Sequence, residues 1–459
     1  MKYNYDVAVL GGGPGGYVAA VRCAFLGKRT VLIEKGALGG TCLNRGCMPT
    51  KSMLHSAQLY REIQGAGDFG ITVSNVGFRF DQIMKRKDQV VARLSGGVGA
   101  LLKQAGVEVI QGAGTLKNTH TIAVNGRQIT AANLILATGS APSQPPIPGL
   151  RESGALSSDQ VLALETCPES LVIIGGGVIG IEFAGIFSML GKKVTVIEML
   201  PNILSGMDAE LSAACAKVLQ RQGVEVITNA KVLELKKGLC IYEHGGKKSQ
   251  VQAEQVVVAT GRIPVTAGLG LEAVGVKMQR GFVMVDDTMH TSVPNIYAIG
   301  DITGKLQLAH VASAQGLVAA ANIAGKNDVM QYDVIPSCVY TSPEIAAVGL
   351  TEEQAREKGY RYKVGRFSVS HNGKATVMGE STGFVKLITQ EDTGELLGAH
   401  IMAPRATDII AELCVLKRSE GTIDELARTI HPHPTVSEMV MEAAHDVEGM
   451  SSHAPRRVL

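Results

Sequence analysis

The chain has 459 residues, of which 45% are hydrophobic and 54 are glycine. This length exceeds the size at which a single hydrophobic core stops growing, so we expect at least three compact units. Lys and Arg number 44 against 42 for Asp and Glu, a formal net charge of +2, which excludes the strongly basic surface typical of nucleic-acid-binding proteins. The apolar, glycine-rich composition favours an α/β fold over a disordered chain.

No apolar run approaches the roughly 18 residues that a membrane-spanning helix needs. Near the N-terminus, Lys2 is followed closely by the short apolar run Val7–Leu10, which is too short for the core of a signal peptide. Most of the eight cysteines lie in apolar or helical surroundings, as expected for reduced residues. We therefore expect a cytoplasmic protein that does not associate with membranes.

A glycine-rich motif follows the first predicted strand, Val7–Leu10. Its three glycines are Gly11, Gly13 and Gly16. A predicted helix, Tyr17–Leu26, comes next, and a second predicted strand, Thr30–Ile33, ends in Glu34. The glycines permit the tight turn, the approach of a pyrophosphate to the backbone and close helix–strand packing, while the acid accepts hydrogen bonds from a ribose. The pattern predicts a dinucleotide-binding βαβ unit.

The same motif is repeated later in the chain. The glycines of the second copy are Gly175, Gly177 and Gly180. The following predicted strand, Lys193–Ile197, ends in Glu198, and in both copies the acid lies 23 residues after the first glycine (11 to 34, and 175 to 198). We expect two similar dinucleotide-binding domains, the second inserted into the first. Because Glu198 would repel a 2′-phosphate and no Arg occurs at 199–202, the second nucleotide is predicted to be NAD rather than NADP.

Proline-rich sequence marks the predicted boundary between these domains. The segment 141–149 contains four prolines, which disfavour both a helix and a central strand. Further on, Asn295–Gly300 is typical of a buried parallel strand and indicates a return to the first domain. The predicted segments are 1–145 for the first part of the first domain, 146–270 for the second domain, 271–335 for the return and 336–459 for a C-terminal domain.

The C-terminal segment has a different pattern. Predicted strands at Gly383–Thr389 and Leu396–Met402 precede predicted helices at Ala406–Arg418 and Ile423–Arg428. Strands followed by helices, without a glycine motif, favour an α+β domain. We expect the polar end, Ser451–Leu459, to be frayed.

Two cysteines lie close together between the glycine motifs. Cys42 and Cys47 occur in the segment GGTCLNRGCMPTK, a C-x₄-C spacing that is too wide for a zinc knuckle and has no second ligand pair nearby, so we expect no metal. The following segment Thr50–Tyr60 is predicted to be helical. Thiols near a helix N-terminus have a lowered pKa, which suits a reducible disulfide.

The sequence contains, in this order, the first glycine motif, GGTCLNRGCMPTK, the second glycine motif, ATGRIP, IYAIGD and HPHPTVSE. With these motifs it resembles the pyridine nucleotide-disulfide oxidoreductases over essentially its whole length. Among them it is most similar to members that oxidise protein-bound dihydrolipoyl groups. The resemblance implies an α/β chain with two Rossmann-like domains, for FAD and NAD, and a C-terminal α+β dimerisation domain. It also implies a homodimer and, as partners, lipoyl-bearing carrier proteins of 2-oxo acid dehydrogenase complexes or of the glycine cleavage system.

The resemblance assigns roles to individual residues. Cys42 would exchange disulfides with the substrate and Cys47 would lie against the flavin. The FAD positions are Gly11, Gly13, Gly16, Glu34, Lys51, Gly114, Thr138, Gly139, Ser140, Asp301, Gln307, Leu308, Ala309 and His310. The NAD positions are Gly175, Gly177, Gly180, Glu182, Glu198, Val232 and Gly261.

The motif HPHPTVSE contains two histidines, and imidazole titrates near neutrality, as a base for thiol exchange should. The resemblance assigns that role to His433, oriented by Glu438 and contributed by the other subunit of the dimer. His431 is interpreted as structural.

Two residues depart from the family pattern. Arg45 stands between the cysteines where an apolar residue is common, and it could either shift the thiolate pKa or face solvent. Val265 replaces the usual Asn after ATGRIP.

Another FAD disulfide reductase of the family, or a non-catalytic flavoprotein subunit, remains an alternative. Glu198 disfavours glutathione-type reductases, and the absence of cysteine after Cys414 disfavours mercuric and large thioredoxin reductases.

Overall fold

Three large sheets follow one another along the chain: one of seven strands, one of five parallel strands and one of five antiparallel strands. The computed structural model describes residues 3–455. Three smaller antiparallel sheets accompany the three large ones. Helices cover the large sheets, as expected for an α/β chain.

Residues 5–142 form most of the seven-stranded sheet. The sheet strands in this range are β1 (Tyr5–Leu10), β2 (Thr30–Glu34), β3 (Glu108–Gln111), β4 (Thr115–Asn118), β5 (Thr121–Val124) and β6 (Arg127–Leu136). The short strand β7 (Ser140–Pro142) follows them in the chain and lies outside this sheet. The helices are α1 (Pro14–Phe25), α2 (Gly40–Arg45), α3 (Cys47–Gln64) and α4 (Phe80–Gln104), with a 3₁₀ turn at Ala66–Phe69. Strands β3, β2, β1 and β6 pair in parallel, and β5 and β4 extend the sheet in the antiparallel sense.

The first glycine motif lies between β1 and α1. Strand β1 pairs on both sides with parallel strands, and its residues 7–10 are buried, which explains the continuous apolar run. Helix α1 begins at Pro14 rather than at the expected Tyr17. Proline is suited to the first helical position because the N–H group that it lacks would have no partner inside the helix.

Residues 156–264 form the parallel five-stranded sheet and a three-stranded antiparallel sheet. The strands are β8 (Leu156–Ser157), β9 (Ser170–Ile174), β10 (Lys193–Ile197), β11 (Glu225–Ile227), β12 (Ala230–Lys236), β13 (Leu239–His244), β14 (Lys247–Gln252), β15 (Gln255–Val258) and β16 (Arg262–Pro264). The helices are α5 (Ser158–Val161), α6 (Val178–Met189) and α7 (Ala209–Arg221). The parallel order is β11-β10-β9-β15-β8, and β16 pairs with β7 where the chain crosses between the two large sheets.

The chain then returns to the first sheet. The elements are β17 (Met278–Gln279), β18 (Phe282–Val283), β19 (Ile296–Ala298) and α8 (Ala309–Ile323), with 3₁₀ turns at Glu272–Val274 and Gly300–Thr303. Strand β19 pairs in parallel with β6. Helix α8 packs against α1 at close range, because a Cβ on Gly316 would lie 2.7 Å from the carbonyl oxygen of Gly15.

The C-terminal part is an antiparallel sheet with helices packed on it. The strands are β20 (Ser337–Val339), β21 (Glu344–Gly349), β22 (Tyr362–Ser368), β23 (Phe384–Gln390) and β24 (Leu396–Ala403), in the order β20-β21-β24-β23-β22. The helices are α9 (Glu352–Glu357), α10 (Gly373–Val377), α11 (Ala406–Arg418), α12 (Ile423–Arg428) and α13 (Glu438–Val447), with a 3₁₀ turn at Val369–His371. Helices α11 and α12 have the bounds predicted from sequence.

The expectation that residues 451–459 are frayed was wrong for the part that the structure describes. The buried carboxylate of Glu442 accepts hydrogen bonds from the Ser451 hydroxyl at 2.6 Å and from the His453 ring at 2.7 Å. Ala454 packs against the core of the C-terminal sheet. Polar composition predicted disorder, but these polar groups have a buried partner. Residues 456–459 lie outside the described part.

Candidate active site

One cavity of about 1730 Å³ lies between the two glycine motifs and the cysteine pair. The predicted cofactor residues that line it are Gly11, Gly13, Glu34, Lys51, Gly114, Thr138, Gly139, Ser140, Asp301, Gln307, Leu308, Ala309, His310, Gly175, Gly177, Glu182, Glu198, Val232 and Gly261. Gly16 and Gly180 are not among them. A Cβ on either glycine would collide with the carbonyl oxygen of Gly11 or Gly175, so these two glycines permit the turn between strand and helix.

The acid at the end of the first βαβ unit is fixed by the backbone. Glu34 Oε2 accepts a hydrogen bond from the N–H of Gly12 at 2.6 Å, and Oε1 accepts one from Gly36 at 2.6 Å. The carboxylate therefore bridges the glycine motif and the turn after β2. It lies beside the cavity, where a ribose of a dinucleotide would be accessible.

The second copy has the same arrangement. Glu198 Oε2 accepts from the N–H of Gly176 at 2.6 Å, and Oε1 accepts from Leu200 at 2.7 Å. Both copies thus hold their acid with one N–H from the glycine motif and one from the residue two positions after the acid.

Residues from three segments meet beside Asp301. The Ser140 hydroxyl donates to Asp301 Oδ2, and the Arg262 Nε donates to Ser140 Oγ at 2.7 Å. Arg262 Nη2 also donates to the Ser140 carbonyl at 2.9 Å. Arg262 was not singled out from sequence, although it belongs to the ATGRIP motif. It joins β16 to β7 through side-chain hydrogen bonds.

The departure at Val265 is accommodated through the backbone. The N–H of Val265 donates to the Gly139 carbonyl at 2.9 Å, and its carbonyl accepts from the Thr138 hydroxyl at 2.7 Å. Neither contact depends on the side chain at 265. The missing Asn therefore leaves the support of residues 138–139 intact.

The start of helix α8 faces the cavity. Leu308 is the residue before the helix, and Ala309 and His310 are in its first turn. His310 Nε2 is 2.9 Å from the Pro336 carbonyl, and burial lowers the pKa of this imidazole. A neutral His310 can donate to that carbonyl while the free N–H groups of the helix start face the cavity.

Cys42 lies in α2, and Cys47 is the first residue of α3, which begins three residues earlier than the expected Thr50. Both are free thiols that line the cavity. A hydrogen bond from Cys42 and the charge of Lys51 lower the pKa of Cys47 to about 7, against the opposing effects of burial and Glu182. The same hydrogen bond and burial raise the pKa of Cys42. Cys47 is thus the thiolate of the pair and Cys42 the donor.

Lys51 connects the cysteine helix to the second glycine unit. Its Nζ donates to both carboxylate oxygens of Glu182 at 2.8 Å and lies 4.3 Å from the centre of the Tyr340 ring. The Tyr340 N–H donates to Glu182 Oε1 at 3.1 Å. Glu182, which was assigned to NAD, therefore also orients the FAD-assigned Lys51. Tyr340 was missed because a single aromatic residue directly after a short strand gives no sequence signal.

His433 and Glu438 form a pair outside this cavity. His433 Nδ1 is 2.9 Å from Glu438 Oε1, and the histidine side chain is 79% exposed. Glu438 Oε2 accepts from the Thr435 N–H at 2.7 Å. Neither His433 nor Glu438 lines the cavity that contains the thiols. Within one chain, the structure does not bring the predicted base to the predicted disulfide.

His431 has both ring nitrogens engaged within its own chain. Its Nε2 is 2.8 Å from Glu412 Oε1, and its Nδ1 is 2.9 Å from the Thr429 carbonyl. The hydrogen bond to Glu412 raises the pKa of this buried imidazole. This geometry supports the structural interpretation of His431.

Arg45 is directed to a neighbouring acid. Its Nε lies 3.4 Å from Asp159 Oδ2 in α5, and the Arg45 side chain is 53% exposed. The four largest influences on the Cys47 pKa come from Cys42, burial, Lys51 and Glu182. Arg45 thus links α2 to α5 of the second unit through an ion pair. The sequence left open whether it shifts the thiolate pKa or faces solvent, and the structure shows a half-exposed side chain paired with an acid.

Family models match nearly the whole chain. The model described as "Pyridine nucleotide-disulphide oxidoreductase" matches residues 5–316, and the one described as "Pyridine nucleotide-disulphide oxidoreductase, dimerisation domain" matches residues 335–444. The chain belongs to the pyridine nucleotide-disulphide oxidoreductases. The predicted resemblance is confirmed, and the dimerisation domain supports a homodimer.

Relatives of known function within this family are similar over their full length. The chain is 41% identical to the dihydrolipoyl dehydrogenase of Bacillus subtilis, over 99% of this chain and 100% of that protein. It is 42% identical to the dihydrolipoyl dehydrogenase of Thermus scotoductus, again over 99% and 100% of the two chains.

Solved structures of this family share the fold. The Cu(II) complex of the HOCl-induced flavoprotein disulfide reductase RclA from Escherichia coli has a TM-score of 0.88 and 30% identity over 97% of this chain and 100% of that one. LpdA from Mycobacterium tuberculosis has a TM-score of 0.89 and 29% identity over 96% and 99% of the two chains. The predicted α/β fold class is confirmed, and this pyridine nucleotide-disulphide oxidoreductase is an enzyme.

FAD and NAD are the cofactors of this family, and glycines from both glycine motifs line the cavity. A Cβ on Gly139, Gly177 or Gly261 would meet nothing within 4 Å, so each of these cavity-lining glycines leaves open space for a ligand. The fixed acids Glu34 and Glu198 provide one ribose acceptor for each nucleotide.

Residues 3–455, the described part of the chain, contain neither a metal-binding cluster nor a membrane-spanning helix. No group of three or more His, Cys, Asp or Glu in this part of the chain could hold a metal ion. Within the same residues, no helix has the length and apolar character needed to cross a membrane.

Proposed function

We propose that the chain is a dihydrolipoyl dehydrogenase that oxidises protein-bound dihydrolipoyl groups through Cys42 and Cys47 and reduces NAD⁺ to NADH. The observation that carries the proposal is the opposite pKa shift of two thiols that share one cavity with both glycine motifs. The full-length similarity to dihydrolipoyl dehydrogenases supports the same substrate.

The pKa difference determines which sulfur is attacked. In the oxidised enzyme, a substrate thiolate attacks Cys42 Sγ, the Cys42–Cys47 bond breaks, and the Cys47 thiolate leaves. A thiol of lower pKa is the better leaving group, and the pKa of Cys47 is lowered to about 7. The second substrate thiolate then attacks the substrate sulfur bonded to Cys42, which closes the lipoyl disulfide and releases Cys42.

The substrate leaves two electrons on the cysteine pair and two protons for a base. FAD, held by the first glycine motif, residues 138–140 and the start of α8, would supply a two-electron acceptor for the reduced cysteines and a hydride donor for NAD⁺. Lys51 holds a positive charge near Cys47 and stabilises its thiolate. We assign proton removal to His433 of the partner subunit, since in its own chain His433 is exposed and outside the cavity.

The fixed carboxylate of Glu198 supports NAD over NADP. Both of its oxygens accept backbone N–H groups, so it cannot turn away from a 2′-phosphate. The cofactor positions that line the cavity keep the assignments made from sequence. They are Gly11, Gly13, Glu34, Lys51, Gly114, Thr138, Gly139, Ser140, Asp301, Gln307, Leu308, Ala309 and His310 for FAD, and Gly175, Gly177, Glu182, Glu198, Val232 and Gly261 for NAD.

Further assignments belong to the same proposal. The four segments 1–145, 146–270, 271–335 and 336–459 are the first FAD part, the NAD domain, the return and the dimerisation domain. The lipoyl carriers are those of 2-oxo acid dehydrogenase complexes or of glycine cleavage. The enzyme acts in the cytoplasm.

An anaerobic titration with dihydrolipoamide tests the proposal. We expect the purified enzyme to contain flavin and to develop a long-wavelength absorbance band from a thiolate beside the flavin. Added NAD⁺ should then reoxidise the enzyme, and NADP⁺ should do so at least tenfold more slowly, corresponding to about 1.4 kcal/mol.

The matched control is Cys47→Ser, which should keep the flavin but lose the band and the NAD-linked turnover. Reduction of the wild type by another dithiol but not by dihydrolipoamide would contradict the substrate assignment. Equal activity of wild type and Cys47→Ser would indicate a route that does not use the disulfide, and faster reoxidation by NADP⁺ would contradict the role of Glu198.

A further inference from the structure

A row of basic side chains on the C-terminal sheet faces the start of helix α7. Arg366, Lys386 and His400 are direct neighbours across strands β22, β23 and β24. Two acids at the start of α7, Asp208 and Glu210, form ion pairs with this row. The two parts of the chain are thus joined by charges that lie 156–178 residues apart in sequence.

Lys386 is the centre of this cluster. Its Nζ lies 3.0 Å from Asp208 Oδ2 and 2.7 Å from Glu352 Oε2. The side chains of Lys386 and Asp208 are 2% and 3% exposed. A buried ion pair is held in one geometry because separating the partners leaves a charge without compensation.

Arg366 holds the next acid in a two-point contact. Its Nε and Nη2 lie 3.1 Å and 2.5 Å from the two carboxylate oxygens of Glu210. Asp208 also caps α7 by accepting the Glu210 N–H at 3.0 Å. The first turn of α7 is therefore fixed in position and direction by the C-terminal sheet.

The segment before α7 leads to the predicted NAD site. The Ser212 hydroxyl donates to the Ile203 carbonyl at 2.6 Å, and the Leu204 N–H donates to the Gly176 carbonyl at 2.8 Å. Gly176 in turn binds Glu198. A Cβ on Gly176 would lie 2.8 Å from Ile203 Cγ2, so the segment and the glycine motif are in close contact.

The segment 203–207 has a strained conformation that contacts with other parts of the chain must stabilise. Leu204 has a φ of +48°, in the left-handed region that leucine rarely adopts, and its side chain is buried. Leu200 and Ser205, on either side of Ile203 and Leu204, line the cavity. A shift at the start of α7 would therefore change the wall of the NAD site.

We propose that Lys386 and Arg366 are positioning residues for NAD, which hold Asp208 and Glu210 and thereby keep the segment 203–207 against the second glycine motif. Neither basic residue lines the cavity. The inference rests on the proposed use of NAD and concerns how the site is held rather than which reaction occurs.

The test compares Asp208→Asn with Lys363→Met in the flavin-loaded enzyme. Asparagine caps a helix as well as aspartate, so Asp208→Asn removes the ion pair and keeps the cap. Lys363 lies on β22 in an exposed ion pair with Glu448 and serves as the matched control. Lys386→Met is the second variant of the cluster.

For Asp208→Asn, we expect the Kd of NAD⁺ from calorimetry to rise about tenfold, or about 1.4 kcal/mol. Flavin reduction by dihydrolipoamide, which needs no NAD, should change less than twofold. Without NAD, amide hydrogen exchange at residues 199–207 should accelerate. Lys363→Met should match the wild type in all three measurements.

Unchanged NAD affinity and unchanged exchange in both cluster variants would overturn the inference. Equal losses of flavin reduction and NAD affinity would also overturn it, because they would indicate general destabilisation. Failure of the wild type itself to bind NAD⁺ would instead contradict the proposed function. The two failures are therefore distinguishable.

Discussion

Cys42 and Cys47 are five positions apart, yet burial and a shared hydrogen bond leave one thiol hard to ionise and the other easy. The charge of Lys51 contributes to the lowered pKa of Cys47, whereas Glu182 opposes it. Lys51 donates hydrogen bonds to both carboxylate oxygens of Glu182. The net electrostatic effect on Cys47 therefore depends on both residues of this ion pair. The reactivity of Cys47 thus depends on two residues that are near in sequence, Cys42 and Lys51, and on the distant Glu182.

Replacing Lys51 by methionine should raise the pKa of Cys47. In the wild type, the thiolate should disappear as the pH falls through about 7, the value to which the pKa is lowered. In Lys51→Met the loss should occur at higher pH. The long-wavelength absorbance of the dithiol-reduced enzyme, recorded against pH, measures the thiolate. Lys231, which also lines the cavity, is the control, and a Lys231→Met variant that shifts as much would contradict the explanation.

Glu198→Gln should weaken NAD⁺ binding about tenfold, or about 1.4 kcal/mol, and reduce the preference over NADP⁺. The amide has one acceptor oxygen, so one of the two backbone N–H groups at Gly176 and Leu200 loses its partner. Calorimetry with each nucleotide measures the effect.

The control is Glu34→Gln, which alters the same arrangement in the first copy. It should lower the flavin content of the purified protein and leave the Kd of NAD⁺ unchanged. Wild-type discrimination between NAD⁺ and NADP⁺ in Glu198→Gln would show that the acid does not select the nucleotide.

At the scale of elements, helix α13 carries two acids one turn apart with different tasks. Glu438 orients His433, and Glu442 holds the C-terminal segment. Burial opposes the ionisation of Glu442, but hydrogen bonds from Ser451 and His453 outweigh it and lower the pKa below 4.5. The hydrogen bond to Glu442 raises the pKa of His453 above 6.5.

The attachment of residues 451–454 should therefore depend on pH. The Glu442 contribution is present above pH 4.5 and is lost as the pH falls through the lowered pKa. The His453 contribution is complete below pH 6.5 and is lost as the pH rises through the raised pKa. Amide protection of this segment, corrected for intrinsic exchange, should be highest between pH 4.5 and 6.5.

Two variants separate the contributions. His453→Gln should remove the loss of protection above pH 6.5, and Glu442→Gln should lower protection above pH 4.5, where the wild-type carboxylate is ionised. Protection that stays constant from pH 4 to 8 in the wild type would contradict a role for these two charges.

At the scale of the whole molecule, the proposed site is divided between two chains. A heterodimer of a Cys47→Ser chain and a His433→Gln chain contains one site with both residues intact. Such a heterodimer, purified through two different tags, should have about half of wild-type activity, because a twofold dimer has two equivalent sites. Each mutant homodimer should be nearly inactive.

The matched control places both substitutions in one chain and pairs it with a wild-type chain. Every site of that heterodimer lacks either the cysteine or the histidine, so it should be inactive. Activity in this control, together with inactivity in the first heterodimer, would place His433 and Cys47 of the same chain in one site.

The sequence predicted the fold to the extent that local patterns determine it. The glycine motifs, their strands and the helices α11 and α12 have strong periodicity and clear ends. The start of α3 was placed too late because Pro49 was treated as a helix boundary. Proline is tolerated in a first turn, where N–H groups have no helical partner, so the helix begins at Cys47.

Contacts between distant segments could not be predicted. No local pattern connects Lys386 with Asp208, Lys51 with Tyr340 or Arg45 with Asp159, since each pair is formed only when separate units pack together. The position of His433 outside its own cavity was inferred only from the family resemblance. The cofactor residues could be proposed from sequence because they lie in short motifs.

The paired N–H contacts at Glu34 and Glu198 have a thermodynamic consequence. Each carboxylate gives up its rotamer freedom while the chain folds, so a ribose meets an acceptor that is already immobile. Freezing a flexible side chain during binding costs about 0.5–1.5 kcal/mol, and this cost is absent at both acids. Because the two carboxylates are held alike, this ordering cost does not distinguish the affinities of the two nucleotides.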